Sequence, residues 1–101
     1  MNAYSENLVV PNEDGLHLRT AAMTAQVARR FAADVRIRHG DLDVSAKGAL
    51  GLLTLGAAQG STLTVTGSGS DAGEAVRAIV ALFGSLFGET ERQGAARLGA
   101  A

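Results

Sequence analysis

The sequence has no cysteine and no tryptophan, and only one proline, one tyrosine and three phenylalanines in 101 residues. Without thiols there is neither a disulfide nor a thiolate metal site, and a reducing compartment fits. With few large aromatics but 47% hydrophobic residues, the core has to be assembled from Ala, Val and Leu. No apolar run approaches the roughly 20 residues that span a bilayer. The opening stretch Met1-Asn2-Ala3-Tyr4-Ser5-Glu6 lacks the basic patch and apolar segment of a secretion signal. A formal net charge of −1 offers no general attraction to nucleic acid. These absences predict a soluble cytoplasmic protein without a membrane or nucleic-acid partner.

The length corresponds to one domain, which can bury roughly 60–70% of the surface of its unfolded chain. Leu8-Val9-Val10 reads as a first strand, stopped by Pro11-Asn12 and the polar turn Glu13-Asp14-Gly15. From Leu18 the pattern becomes helical, with Ala21, Ala25, Ala28 and Phe31 at spacings of three and four. From Asp34 to Ser45 it alternates: Val35 and Ile37 against Arg36 and Arg38, then Leu42 and Val44 against Asp41 and Asp43. That predicts a hairpin turning at His39-Gly40 or Gly40-Asp41, with arginines opposite aspartates on the solvent face and aliphatics beneath. His39 at the tip reads as an exposed turn residue.

Lys47 to Leu55 is either a two-turn helix or a loop, with Leu52 and Leu55 assigned to the core. Ser61 to Thr66 is a strand, and Gly67 to Ser70 a glycine-serine turn. A last helix opens at Ser70-Asp71, where Asp71 and Glu74 have the spacing of a capping box. The pattern dissolves after Gly88, so residues 1–88 form the predicted domain and 89–101 a flexible tail. The order β-α-β-β-α-β-α predicts an α+β open-faced sandwich, a four-stranded antiparallel sheet covered on one face by three helices.

The chemistry concentrates at Gly15-Leu16-His17-Leu18-Arg19. The first backbone N–H groups of a helix lack partners, and the helix dipole makes that end an anion site. A histidine there has its ring beside those donors, and neutral imidazole is a competent nucleophile near pH 7. A phosphoryl group on the ring would accept N–H bonds from Leu18 and Arg19, and the Arg19 guanidinium would add a charge-assisted fork. Gly15 would let the loop turn tightly and leave room for a partner to approach. His17 and His39 do not make a metal site.

The segment Gly15-Leu16-His17-Leu18-Arg19-Thr20-Ala21-Ala22 resembles the active-site segment of the HPr family, histidine phosphocarriers of the phosphoenolpyruvate-dependent phosphotransferase system, where G-L-H-x-R-P-A is usual. Ser45 to Gly56 resembles the family's second signature, and Gln59-Gly60 sits where its Q-G precedes the last strand. The resemblance implies a βαββαβα fold and a carrier that is not an independent enzyme. It implies that enzyme I phosphorylates His17 on Nδ1, that an EIIA-type domain takes the group, and that Arg19 assists. It further implies that Leu18, Thr20, Ala22, Ala49, Leu50 and Leu53 dock partners, with Arg29 and Lys47 as basic contacts. No cofactor or metal is called for, and a monomer is expected. An HPr-like regulatory docking module, in a nitrogen-type branch, is the alternative. Two positions depart from the pattern. Thr20 replaces the proline, trading a fixed φ for an N–H and a hydroxyl, which either loosens the site or adds a donor to phosphate. Gly48 replaces the regulatory serine, so that phosphorylation switch is predicted to be absent.

Overall fold

The alternating segments Val35-Arg36-Ile37 and Leu63-Thr64-Val65 lie on neighbouring antiparallel strands, with Ile37 opposite Val65, and turn Val35, Ile37, Leu63 and Val65 to one face, where all four are fully buried. That pairing organises the rest of the computed structural model, which describes residues 3–87. The strands are β1 (Ala3–Val9), β2 (Asp34–His39), β3 (Leu42–Ser45) and β4 (Thr62–Ser68). They form one antiparallel sheet in the order β1-β4-β2-β3. Helices α1 (Leu18–Ala28), α2 (Ala49–Leu53) and α3 (Ala72–Ala81) cover one face, giving the predicted βαββαβα sandwich. The predicted domain edge at Gly88 and the tail 89–101 lie outside the described residues.

The core sits between the sheet and the helices. Ala21, Ala25 and Ala28 of α1, Leu52 of α2, and Ala75, Val76 and Ile79 of α3 meet the inward strand residues there, joined by Leu55 and Phe83. Burying each Val, Leu, Ile or Phe side chain stabilises the fold by about 1.5–3 kcal/mol. The open face is polar: Ser5 and Thr66 share a hydrogen bond, Thr64 donates to Asn7, and Arg36 pairs with Asp43. With both partners of that pair about half exposed, it contributes about 0.2–1 kcal/mol. The helix-side core dominates the energetics.

Several local expectations are corrected. Strand β1 begins at Ala3 rather than Leu8, because seven consecutive pairings with β4 carry its polar half. Phe31 lies beyond the end of α1, which is capped at Arg29. The hairpin turns at Gly40-Asp41, and Arg38 faces Asp43 across it, but the ion pair runs diagonally from Arg36. Leu42, beside that turn on the edge strand, is 48% exposed instead of buried. Gly67 and Ser68 belong to β4 and not to a turn. Gly67 is required by closeness: a Cβ there would lie 3.0 Å from Val76 Cγ2 and 3.1 Å from the Ala72 carbonyl, so its lack of a side chain lets α3 seat on the sheet.

The Asp71–Glu74 capping box does not form. The Asp71 carboxylate instead accepts the N–H groups of Ala32 (2.9 Å) and Ala33 (2.8 Å), tying the α1–β2 loop to the head of α3. The Ala32 bond, with Ala33 adding to it, holds the Asp71 pKa below its ordinary value of 3.8. Beyond α3 the chain winds on as a π-helical turn, Leu82–Phe87.

Candidate functional site

His17 is the N-cap of α1, in extended backbone at φ −120° and ψ −175°. Its ring Nδ1 accepts the Arg19 N–H at 3.3 Å. A nitrogen that accepts carries no proton, so the neutral ring keeps its hydrogen on Nε2 and presents the Nδ1 lone pair to the head of the helix. The ring is half-buried, while Leu18 and Arg19 are exposed. Among the described residues the Arg19 guanidinium has no hydrogen-bond or ion-pair partner, leaving its fork open for an anion.

The loop carrying His17 is held from behind by the segment between α2 and β4. Leu16 N–H donates to the Ala57 carbonyl at 2.9 Å, Gln59 Nε2 to the Pro11 carbonyl at 3.1 Å, and Gly60 N–H to the Val10 carbonyl at 2.9 Å. Gly15 is buried at the closest point, at φ +67°, and a Cβ there would lie 2.5 Å from the Ala57 oxygen. Its space is thus taken up by the protein's own second loop, not kept for a partner as expected from the sequence. Asn12, whose role the sequence did not reveal, is buried and donates Nδ2 to the Gly15 carbonyl at 2.6 Å. Its place three residues before Gly15 in a Pro-Asn turn was the available signal.

The other predicted residues divide. Leu18 (65%) and Leu50 (77%) are the most exposed large hydrophobics of the described residues and stand on the packed pair α1 and α2. Ala49 and Leu53 are half-buried and pack partly against the core, and Ala22 is half-buried. Arg29 and Lys47 are tied to the fold: Arg29 Nε donates to the Lys47 carbonyl at 2.9 Å and Lys47 Nζ to the Phe31 carbonyl at 2.8 Å. Thr20 is buried, with its hydroxyl turned to the main chain of His17, so its side chain is not on the surface. Gly48 caps α2 without a side-chain bond. His39 is half-buried instead of exposed, because its Nδ1 meets the Leu55 carbonyl at 2.7 Å. Among the described residues no group of three or more His, Asp or Glu could hold a metal ion, and no helix is long and apolar enough to cross a membrane.

A histidine capping the first helix of an open-faced sandwich, with a guanidinium unpartnered among the described residues two positions on and exposed leucines on the packed pair α1 and α2, has the form of a small phosphoryl carrier. The family model described as PTS HPr component phosphorylation site matches residues 4–85. The chain is 38% identical over 89 residues to phosphocarrier protein NPr of Shewanella violacea, covering 88% of this chain and 98% of that one. It is 39% identical over 80 residues to phosphocarrier protein HPr of Cupriavidus necator, covering 79% and 90%. The crystal structure of HPr from Bacillus anthracis superposes with a TM-score of 0.77 at 37% identity, covering 80% of this chain and 96% of that one. The chain belongs to the HPr family of phosphocarriers of the phosphotransferase system.

Proposed function

We propose that His17 takes a phosphoryl group on Nδ1 from phosphorylated enzyme I and passes it to an EIIA-type domain, the chain acting as a monomer in the cytoplasm. The observation that carries this reading is the Nδ1 of His17 placed as acceptor 3.3 Å from the Arg19 amide nitrogen. The Nδ1 lone pair forms the new bond to phosphorus as the donor's bond to phosphorus breaks. That bonding pair returns to the donor, and the Nε2 proton of His17 stays in place. The Arg19 N–H, released from the lone pair, turns to a phosphoryl oxygen, and the Leu18 N–H lies at the same helix end, where the dipole favours negative charge. The Arg19 guanidinium bonds the same oxygens, most strongly as charge accumulates during transfer. Transfer onward is the same step reversed in direction, which suits a carrier that holds the group without hydrolysing it.

Leu18 and Leu50 supply the exposed apolar contact for partners, with Ala22, Ala49 and Leu53 at its edge. Incubation with phosphoenolpyruvate and enzyme I should add one acid-labile phosphoryl group, read by mass spectrometry, and His17→Ala should abolish it. An unlabelled intact protein would instead favour a docking module.

A further inference from the structure

The hydroxyl at position 20, where the family pattern has proline, is fully engaged. Thr20 is 7% exposed, and its Oγ1 accepts the His17 N–H at 3.0 Å. The single hydroxyl proton lies within reach of the His17 carbonyl at 3.2 Å and of the Gly15 carbonyl at 3.4 Å, and serves one of them at a time. Thr24 Oγ1 in turn donates to the Thr20 carbonyl at 2.8 Å. One buried oxygen thus touches both main-chain polar groups of His17, while the ring of His17 reaches forward to the Arg19 amide. The two bonds close a reciprocal cap around the first turn of α1.

We infer that Thr20 is a positioning residue for the phosphoryl-accepting ring, an inference that rests on the proposed role of His17. The direction of an imidazole is set by its Cα–Cβ bond and then by χ1 and χ2. Fixing the main chain on both sides of the Cα fixes the first of these and leaves the ring a single well-placed partner, the Arg19 amide. A proline at this position would preset φ in the first turn but would offer nothing to the His17 N–H. Threonine gives up that preset φ and supplies an acceptor and a donor instead. The hydroxyl therefore acts behind the ring as a main-chain clamp and does not contact the phosphoryl oxygens.

The test uses the full chain with 15N-labelled histidine in wild type, Thr20→Val, Thr20→Ser and Thr20→Pro. Three quantities are read: His17 amide exchange, the ring tautomer from long-range 1H–15N spectra, and the rate of labelling by phosphoenolpyruvate and enzyme I. Valine keeps nearly the same volume without the hydroxyl, and proline supplies a second hydroxyl-free variant should valine disturb the packing. Loss of the clamp should speed His17 amide exchange about tenfold in both, the size set by one hydrogen bond. In Thr20→Val the ring should pass from mainly Nε2–H to a mixture of tautomers, and labelling should slow by about threefold to tenfold, as expected when a reacting group loses its orientation. Serine should restore all three. Wild-type exchange and tautomer in both hydroxyl-free variants, or failure of serine to rescue them, would overturn the clamp. If wild type takes up no phosphoryl group, the carrier reading fails, yet exchange and tautomer still decide the clamp.

Discussion

Replacing Gly15 by alanine tests whether two loops pressed together hold the nucleophile in place. A Cβ on Gly15 would lie 2.5 Å from the Ala57 oxygen and 2.9 Å from Ala58 Cα, and the residue has φ +67°. The left-handed backbone alone costs a non-glycine residue about 1–2 kcal/mol. The overlap is with main-chain atoms, so no rotamer change relieves it. The loops have to part, which adds about 1–3 kcal/mol of the kind seen on overpacking a tight site. Parting them also strains the Leu16 N–H bond to the Ala57 carbonyl at 2.9 Å, a bond contributing about 1 kcal/mol. We expect Gly15→Ala to lose about 3–6 kcal/mol in urea unfolding with an unchanged m-value, a large share of the roughly 5–15 kcal/mol typical of a domain. Leu16 amide exchange should speed up, and enzyme I labelling should slow even where the variant is fully folded, since His17 is two residues away. A loss below about 1 kcal/mol with Leu16 exchange unaltered would refute the argument that this contact sets the loop.

Arg19→Gln should slow labelling of His17 by about tenfold or more while leaving the melting temperature unchanged, because its guanidinium is unpartnered among the described residues. A large drop in melting temperature would assign Arg19 to the fold. Leu50→Glu, at a 77% exposed position, should leave stability within about 0.5 kcal/mol and raise the apparent KM for phosphorylated enzyme I; an unchanged KM would place docking elsewhere. His39→Ala should cost about 1 kcal/mol through the lost bond to Leu55 and leave phosphoryl uptake at one group per chain, measured by mass spectrometry. Because the folded pKa of Asp71 is lowered from 3.8, its contribution is complete above that value and disappears as pH falls through the folded pKa. Asp71→Asn should therefore melt lower than wild type at neutral pH and show a flatter acid limb below pH 3.8; parallel acid limbs would contradict it.

Local pattern was enough for the element order and for the centre of the site. Val35 and Ile37 alternate with arginines, Ala21, Ala25 and Ala28 recur at helical spacing, and each set is buried as its period requires. His17 next to a glycine turn and a helix start was legible for the same reason, because capping is a matter of neighbouring residues. Where the reading failed, a polar side chain had a choice of partners. Asp71 had a suitable local partner in the first turn of α3, yet it bonds amides 38 and 39 residues away. His39 looked like a solvated tip until the turn after α2 brought the Leu55 carbonyl to it.

The sequence by itself determined the sandwich, the histidine at the head of α1 and the membership that its motifs announce, because periodicity, capping and short motifs are properties of adjacent residues. Only the tertiary structure decided what Gly15 and Gln59 are for. Gly15 makes room for the Ala57 carbonyl and Gln59 donates to the Pro11 carbonyl, contacts that depend on how the loop after α2 packs behind the loop before α1, whereas Asn12 and Thr20 bond main-chain groups within five residues. Hydrogen bonds and close contacts act over a few ångströms, so their partners are fixed only once the core has brought distant segments to that range.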